Sequence, residues 1–303
     1  MSANSSPAIE TFGLGKRYGR GGAFSLHDLN ISIMPGEIYG FLGPNGAGKS
    51  TTIRLLMNFI QPTEGRAQIL GLDIVRDSVA VKRGIGYLPG EFAYYPNLTG
   101  RQFLEYMSEL QPPKRKNYVN ELARRFDVPL NSHLNTLSKG NRQKIGLIQA
   151  FAAEPEVFVL DEPTSGLDPL MQEVFFELLR ESKSRGATVF FSSHNLSEVQ
   201  KTCDRVGFIR EGKLIAQQTI GELAQSAVQT YDISFVGEIP LAALHRLKGV
   251  KVIANTSRHT TVTIKGELKP LFALLAKHKV NSLDRREIDL EEEFLRFYKG
   301  SEQ

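Results

Sequence analysis

The run GPNGAGKST, Gly43 to Thr51, constrains this chain more than any other stretch. It fits G-x-x-x-x-G-K-[ST] from Gly43 to Ser50. Such a loop needs a strand leading in and a helix leading out. Both flanks comply. EIYGFLG is a short, almost wholly apolar strand, and STTIRLLMNFI has helical periodicity up to Pro62. The glycines let the backbone wrap round phosphates with its N–H groups inward. Lys49 is placed to reach the β and γ phosphates, and the Ser50 hydroxyl to ligate Mg²⁺. The alternative is a chance glycine-rich turn, which the strand and helix on either side argue against.

A strand, a loop and a helix in that order belong to an α/β sheet, and the rest of the chain agrees. Residues 9–42 read as strands, with LNISI alternating and Pro35-Gly36 as a turn. EGRAQILGLDI reads as a hairpin and RGIGYLPG as a strand. Residues 96–153 carry three helical stretches and form a helical insert. EVFVLDEP and ATVFFSSH are continuous apolar strands separated by the helix PLMQEVFFELLRESKSRG. Unbroken apolar strands mean a parallel sheet covered on both faces. RVGFIREGKLIAQ closes this part as a hairpin at Glu211-Gly212. The fold class is therefore α/β, with a mostly parallel core sheet and antiparallel N-terminal strands. A domain boundary is placed at 225/226. Residues 226–303 restart as β-α-β-β-α-β plus a last helix, DLEEEFLRFYKG, the pattern of a small ferredoxin-like α+β domain.

Composition narrows the function classes. The chain has 303 residues and a net charge of +4, too small an excess to argue for nucleic acid. Cys203 is the only cysteine, so neither an intrachain disulfide nor a cysteine metal cluster is available. MSANSSPAIE lacks the basic and apolar regions of a secretory signal. No apolar stretch approaches the roughly 18 residues that span a bilayer.

VFVLDEP puts Asp161 and Glu162 at the end of a buried strand. Beside a phosphate loop, an aspartate there can hold Mg²⁺ through water, and the adjacent glutamate can serve as base for an attacking water. Two acids capping the next helix is the plainer reading. LSKGNRQK, ahead of the apolar run IGLIQAFAA, offers a second anion-holding helix N-terminus. Taken alone, Ser138 there is simply an N-cap, and the same N–H groups serve both purposes.

GPNGAGKST, LSKGNRQ, VFVLDEP, SGLD and SSH occur in this order and at these spacings. On them the chain resembles the ATP-binding subunits of ABC transporters, over roughly residues 8–225. EIYGFLGPNGAGKSTTIR and DLEEEFLRFY are similar to the bacterial drug, antibiotic and ion-efflux exporters whose permease is a separate chain. The resemblance implies a P-loop ATPase using ATP and Mg²⁺. Its nucleotide would lie on Gly43, Pro44, Asn45, Gly46, Ala47, Gly48, Lys49, Ser50 and Thr51, with Tyr18 stacked on adenine. Ser50 and Asp161 would hold the metal. Glu162 would be the base, assisted by His194 and Lys49. Ser138 and Gly140 would bind the γ-phosphate held by a second copy, and Asp168 would meet that copy. By themselves Tyr18 is a turn residue, His194 a polar strand end and Asp168 an N-cap before Pro169.

The implied partners are a transmembrane permease and a second copy in an ATP-bridged homodimer, at the cytoplasmic face of the membrane, with no nucleic acid. Three departures stand out. Lys139 and Asn141 replace the family's usual Gly and Gln, and Gly90 in YLPGEF stands where a Gln is usual. The last deprives the coupling loop of a side chain and leaves Glu91 as the neighbouring candidate. A soluble ABC-type ATPase acting on ribosomes, DNA or cofactor assembly and a small-molecule P-loop kinase are the competing classes. One cassette, one cysteine and the absence of a long heptad region disfavour the first. LSKGNRQ, SGLD and His194 disfavour the second.

Overall fold

A computed structural model describes residues 6–19, 21–91, 95–226, 229–264 and 266–286. The chain divides into two compact units, residues 1–218 and 219–303. The sequence reading set the change of organisation at 225/226. In the structure the chain turns into a helix at Thr219, whose amide and hydroxyl both donate to the Glu222 carboxylate while its Oγ accepts the Glu222 N–H. That reciprocal cap starts the helix, which falls within the second unit.

The first unit opens with β1 (Ile9–Arg17), β2 (Phe24–Leu29), β3 (Ser32–Ile33) and β4 (Ile38–Leu42). The phosphate loop then leads into α1 (Lys49–Leu56). Next come β5 (Glu64–Ile69), β6 (Leu72–Asp73), α2 (Ser78–Arg83) and β7 (Ile85–Leu88). The insert supplies α3 (Gly100–Leu110), α4 (Tyr118–Arg125) and α5 (Lys139–Ala152). The unit closes with β8 (Val157–Asp161), α6 (Pro169–Ser184), β9 (Thr188–Ser193), α7 (Leu196–Thr202), β10 (Arg205–Arg210) and β11 (Lys213–Thr219). Helix α1 stops before the expected Pro62. Asn58 takes a left-handed φ of 48°, and the Asn58 and Phe59 amides turn back to Leu55 and Arg54. A left-handed residue just past the last turn ends a helix without any proline. In the insert, Thr99 and Gln102 form a full capping box at the start of α3.

Two sheets result. An antiparallel one runs β2-β1-β5-β6, with β3 also on β1. The central sheet runs β11-β10-β4-β9-β8-β7, and β10, β4, β9, β8 and β7 are parallel neighbours. Strands β4, β8 and β9 are buried at every residue. Alternation explains why. Tyr39, Phe41, Val157, Val159 and Phe190 join the core that also holds Ile9, Leu14, Ile33, Ile53 and Ile69. On the other face Phe158 packs against Phe151, and Phe175 against Phe191. Each such side chain contributes about 1.5–3 kcal/mol by leaving water, and a sheet covered twice keeps no polar residue except at its strand ends.

The second unit holds α8 (Ile220–Ser226), β12 (Gln229–Phe235), α9 (Leu241–Arg246), β13 (Val250–Asn255), β14 (His259–Ile264), α10 (Lys269–Leu275) and β15 (Val280–Arg285). Its strand order is β13-β14-β12-β15, with every pair antiparallel. That is the ferredoxin-like arrangement expected from the pattern. Its core comprises Tyr231, Ile233, Phe235, Val262 and Ile264 against Leu244, Leu271 and Leu275. The expected last helix, DLEEEFLRFYKG, lies outside the described residues.

Candidate active site

Strands β4, β9 and β8 lie side by side and run the same way, so the loops at their C-terminal ends emerge from one edge of the sheet. In open α/β sheets that edge is where ligands bind. Leu42 pairs with Ser193, and Asp161 with Ser192. The phosphate loop, the DEP turn and the SSH turn therefore meet.

The phosphate loop is shaped by what glycine permits. A Cβ at Gly43 would lie 2.3 Å from the Ile209 carbonyl oxygen. Gly48, at φ 111°, would place one 2.8 Å from the Ser25 carbonyl oxygen. Pro44, Asn45 and Gly46 are exposed at the rim, and Ala47 is buried beneath it. Gly48 leads into α1 with no side-chain cap and no acid in the first turn, so the helix start suits an anion. Ser50 and Thr51, half-buried, sit on that first turn.

Lys49 is only 5% exposed. A buried ammonium needs partners, and it has three. It donates to the Gly43 and Pro44 carbonyls at 2.7 and 3.2 Å and pairs with Glu162 Oε1 at 3.3 Å. Glu162 Oε2 in turn lies 3.3 Å from His194 Nδ1. One carboxylate thus spans the lysine of the first loop and the histidine of the third. Its backbone is left-handed, φ 46°.

Asp161 is 5% exposed, and its Oδ1 accepts the Ser192 hydroxyl at 2.6 Å. On the other side, a Cβ built on Gly90 would lie 3.0 Å from Asp161 Oδ2. The missing side chain at position 90 thus leaves its loop close to this carboxylate. Glu91 is exposed. Tyr87, on β7, has its phenol pushed up to about 12 by burial first and the Asp161 charge second.

The LSKGNRQ and SGLD residues form a neighbouring group. Ser138 caps α5, accepting the Asn141 N–H at 3.2 Å. Asp168 caps α6, accepting the Met171 N–H at 3.0 Å ahead of Pro169. Both plain capping readings therefore hold. Gly140 lies so close to the SGLD turn that a Cβ would come within 2.5 Å of the Gly166 oxygen. Tyr18 is 46% exposed, with Lys16 Nζ 5.6 Å from its ring centroid.

Three contributors escaped the sequence reading. Buried Gln143, on α5, donates to the Glu162 and Pro163 carbonyls at 3.3 and 3.1 Å. Ser192 bonds to both acids. Glu198, on α7, accepts Thr164 and Ser193 hydroxyls at 2.9 and 2.7 Å. The first two sit inside LSKGNRQ and SSH, where Ser138, Gly140 and His194 carry the signal. Glu198 carries no motif signal.

A family model described as ABC transporter matches residues 26–165. The bacitracin transport ATP-binding protein BcrA of Bacillus licheniformis is 38% identical over 215 residues, 70% of either chain. The chain belongs to the ABC transporter ATP-binding proteins. This ATP-binding subunit is also 32% identical over 275 residues to an uncharacterized ABC transporter ATP-binding protein, YhcH, of Bacillus subtilis. That match covers 89% of this chain and 90% of the relative, so it reaches into the second unit. A solved ATP-binding subunit of an ABC transporter superposes with a TM-score of 0.66 at 28% identity, covering 72% of this chain and 92% of that one. As a member of this family the subunit binds and hydrolyses ATP. Among the described residues no helix is long and apolar enough to cross a membrane.

Proposed function

We propose that this subunit energises export through a separate transmembrane permease at the cytoplasmic face of the membrane, by ATP-driven closure of two copies. One observation carries the reading: Lys49, Glu162 and His194 are joined in a chain of contacts at one edge of the sheet, beside Asp161. The name of BcrA, a bacitracin transport protein, supports a role in transport.

The residues fit the ligands. The loop that a Cβ would obstruct, the uncapped start of α1 and the buried Lys49 suit a polyphosphate. Ser50 and Asp161 are hard oxygen donors of the kind Mg²⁺ takes. When bound, Mg²⁺ held by these two would neutralise charge on the phosphate oxygens. Lys49 exchanges its loop carbonyls and Glu162 for phosphate oxygens. That releases the Glu162 carboxylate to accept a proton from an attacking water, while His194 orients the pair. Most of the rate then comes from placement and fixed charge. Ser138 and Gly140 present an N-terminus to the γ-phosphate on a second copy, and Asp168 and Tyr18 keep the roles implied by the resemblance. ATP binds the closed pair better than open monomers and so drives closure.

The test is phosphate release. Wild-type protein with its permease should release phosphate from Mg-ATP and leave no phosphorylated acceptor. Glu162→Gln should bind Mg-ATP and turn it over far more slowly. Wild-type turnover in Glu162→Gln would remove the glutamate from this role.

A further inference from the structure

We infer that Ser192 is a positioning residue for both acids of the site, a reading that rests on the roles proposed above for Asp161 and Glu162. Ser192 is fully buried and lies opposite Asp161 in the β8–β9 ladder. Its hydroxyl has one proton, and the geometry commits it. It donates to Asp161 Oδ1 at 2.6 Å and accepts the Glu162 N–H at 2.9 Å. A hydroxyl given to a carboxylate is a charge-assisted bond, short and strong. Among the described residues Ser192 is the one side chain bonded to Asp161.

Two consequences follow. The bond to Oδ1 fixes the carboxylate rotation, so Oδ2 is the oxygen turned to the Gly90 side. The bond from Glu162 N–H braces a residue held at φ 46°, a conformation that a non-glycine residue adopts only when its surroundings insist. That backbone aims Oε1 at Lys49 and Oε2 at His194. A single hydroxyl therefore sets the rotation of one acid's carboxylate and braces the backbone that directs the other. The neighbouring Ser193 provides the contrast. It is equally buried, yet its hydroxyl serves Glu198 and the Asn195 turn and touches neither acid.

The experiment measures Mg²⁺ dependence separately from turnover. Binding of a fluorescent, non-hydrolysable ATP analogue is titrated with Mg²⁺ and repeated in EDTA. For Ser192→Ala the half-saturating Mg²⁺ should rise about 10-fold to 100-fold, the range seen when an outer partner of a metal ligand is removed. Binding in EDTA should match wild type, and ATP turnover should fall by a similar factor. Ser192→Thr, which keeps the hydroxyl, should recover most of both. Ser193→Ala, a loss of comparable packing, should leave the Mg²⁺ dependence unmoved. Wild-type Mg²⁺ dependence in Ser192→Ala would overturn the inference, as would an equal shift in Ser193→Ala or a Thr variant no better than Ala. Wild-type protein whose binding of the analogue is the same in Mg²⁺ and in EDTA would instead count against the metal role proposed for Asp161.

Discussion

The two units are both layered α and β, yet they bury different things. The first encloses Lys49, Lys144, Asp161 and Glu198 at under a tenth exposure. Among the described residues the second encloses only hydroxyls, at Ser234, Thr260 and Thr261. Topology accounts for the contrast. Parallel strands send every connecting loop from one edge, so side chains far apart in sequence converge there and can satisfy one another's charges. In the second unit neighbouring strands alternate in direction, so the loops that follow them leave from opposite edges and gather at neither. The second unit's one described ion pair, Asp232 with Arg286, is open to solvent. Buried charge thus marks the unit that does chemistry.

The hardest blow to that contrast is Lys49→Ala. It removes the buried cation and should cut phosphate release by at least about a hundredfold, the usual effect of losing a preorganised charge in a site. A variant with near-normal turnover would break the comparison outright. Next comes association. In Glu162→Gln, Mg-ATP should yield a dimer by light scattering and ADP should not. Adding Ser138→Arg should abolish that dimer and spare nucleotide binding. Equal dimerisation of both proteins would leave Ser138 a helix cap and nothing more.

A third experiment sharpens the contrast from the other side. Ile233→Ala, in the second unit's core, should cost that unit about 2–5 kcal/mol in denaturant while phosphate release stays near wild type. A large loss of turnover would show that the second unit has a share in the chemistry. The smallest effect concerns pH. Arg286 first, and the Thr261 hydroxyl next, hold the Asp232 carboxyl below the usual carboxylate range. A lowered folded value means stability present above the unfolded value and lost as pH falls through the folded one. Asp232→Asn should therefore melt slightly below wild type at neutral pH and converge with it in acid. The group is exposed, so solvent screening keeps the gap small. A gap that widens in acid would reverse the assignment.

The frame of the first unit was legible because EIYGFLG, VFVLDEP and ATVFFSSH are apolar without alternation, which leaves a parallel, twice-covered strand as the simplest outcome. The second unit's order was legible from the succession of strand and helix patterns alone. The short helices α2, α7 and α8 were not, since SVAVKR, LSEVQKT and IGELAQS carry too few apolar residues to mark a face, unlike the equally short α9 and α10. The end of α1 was missed because Asn58 stops it by backbone conformation, which the more conspicuous Pro62 concealed. In the site, the residue types and their loops could be read. The contacts among them could not. Nothing in VFVLDEP says that Glu162 holds Lys49, because pairing across three strands is a product of sheet order. Ser192 carries no motif signal of its own, and only the pairing of β8 with β9 puts its hydroxyl between two acids.

The contact between Lys49 and Glu162 also gives the ammonium a ligand from within the chain. An incoming anion does not meet a bare charge. It must outcompete a carboxylate and two carbonyls already in place, which discriminates against small free anions and favours one that offers several phosphate oxygens at once. Glu162→Gln alters this contest as well as the chemistry, because a neutral amide is a poorer rival for the ammonium. Nucleotide held tightly by such a variant would reflect two losses together: the proposed base and the carboxylate that competes for the ammonium.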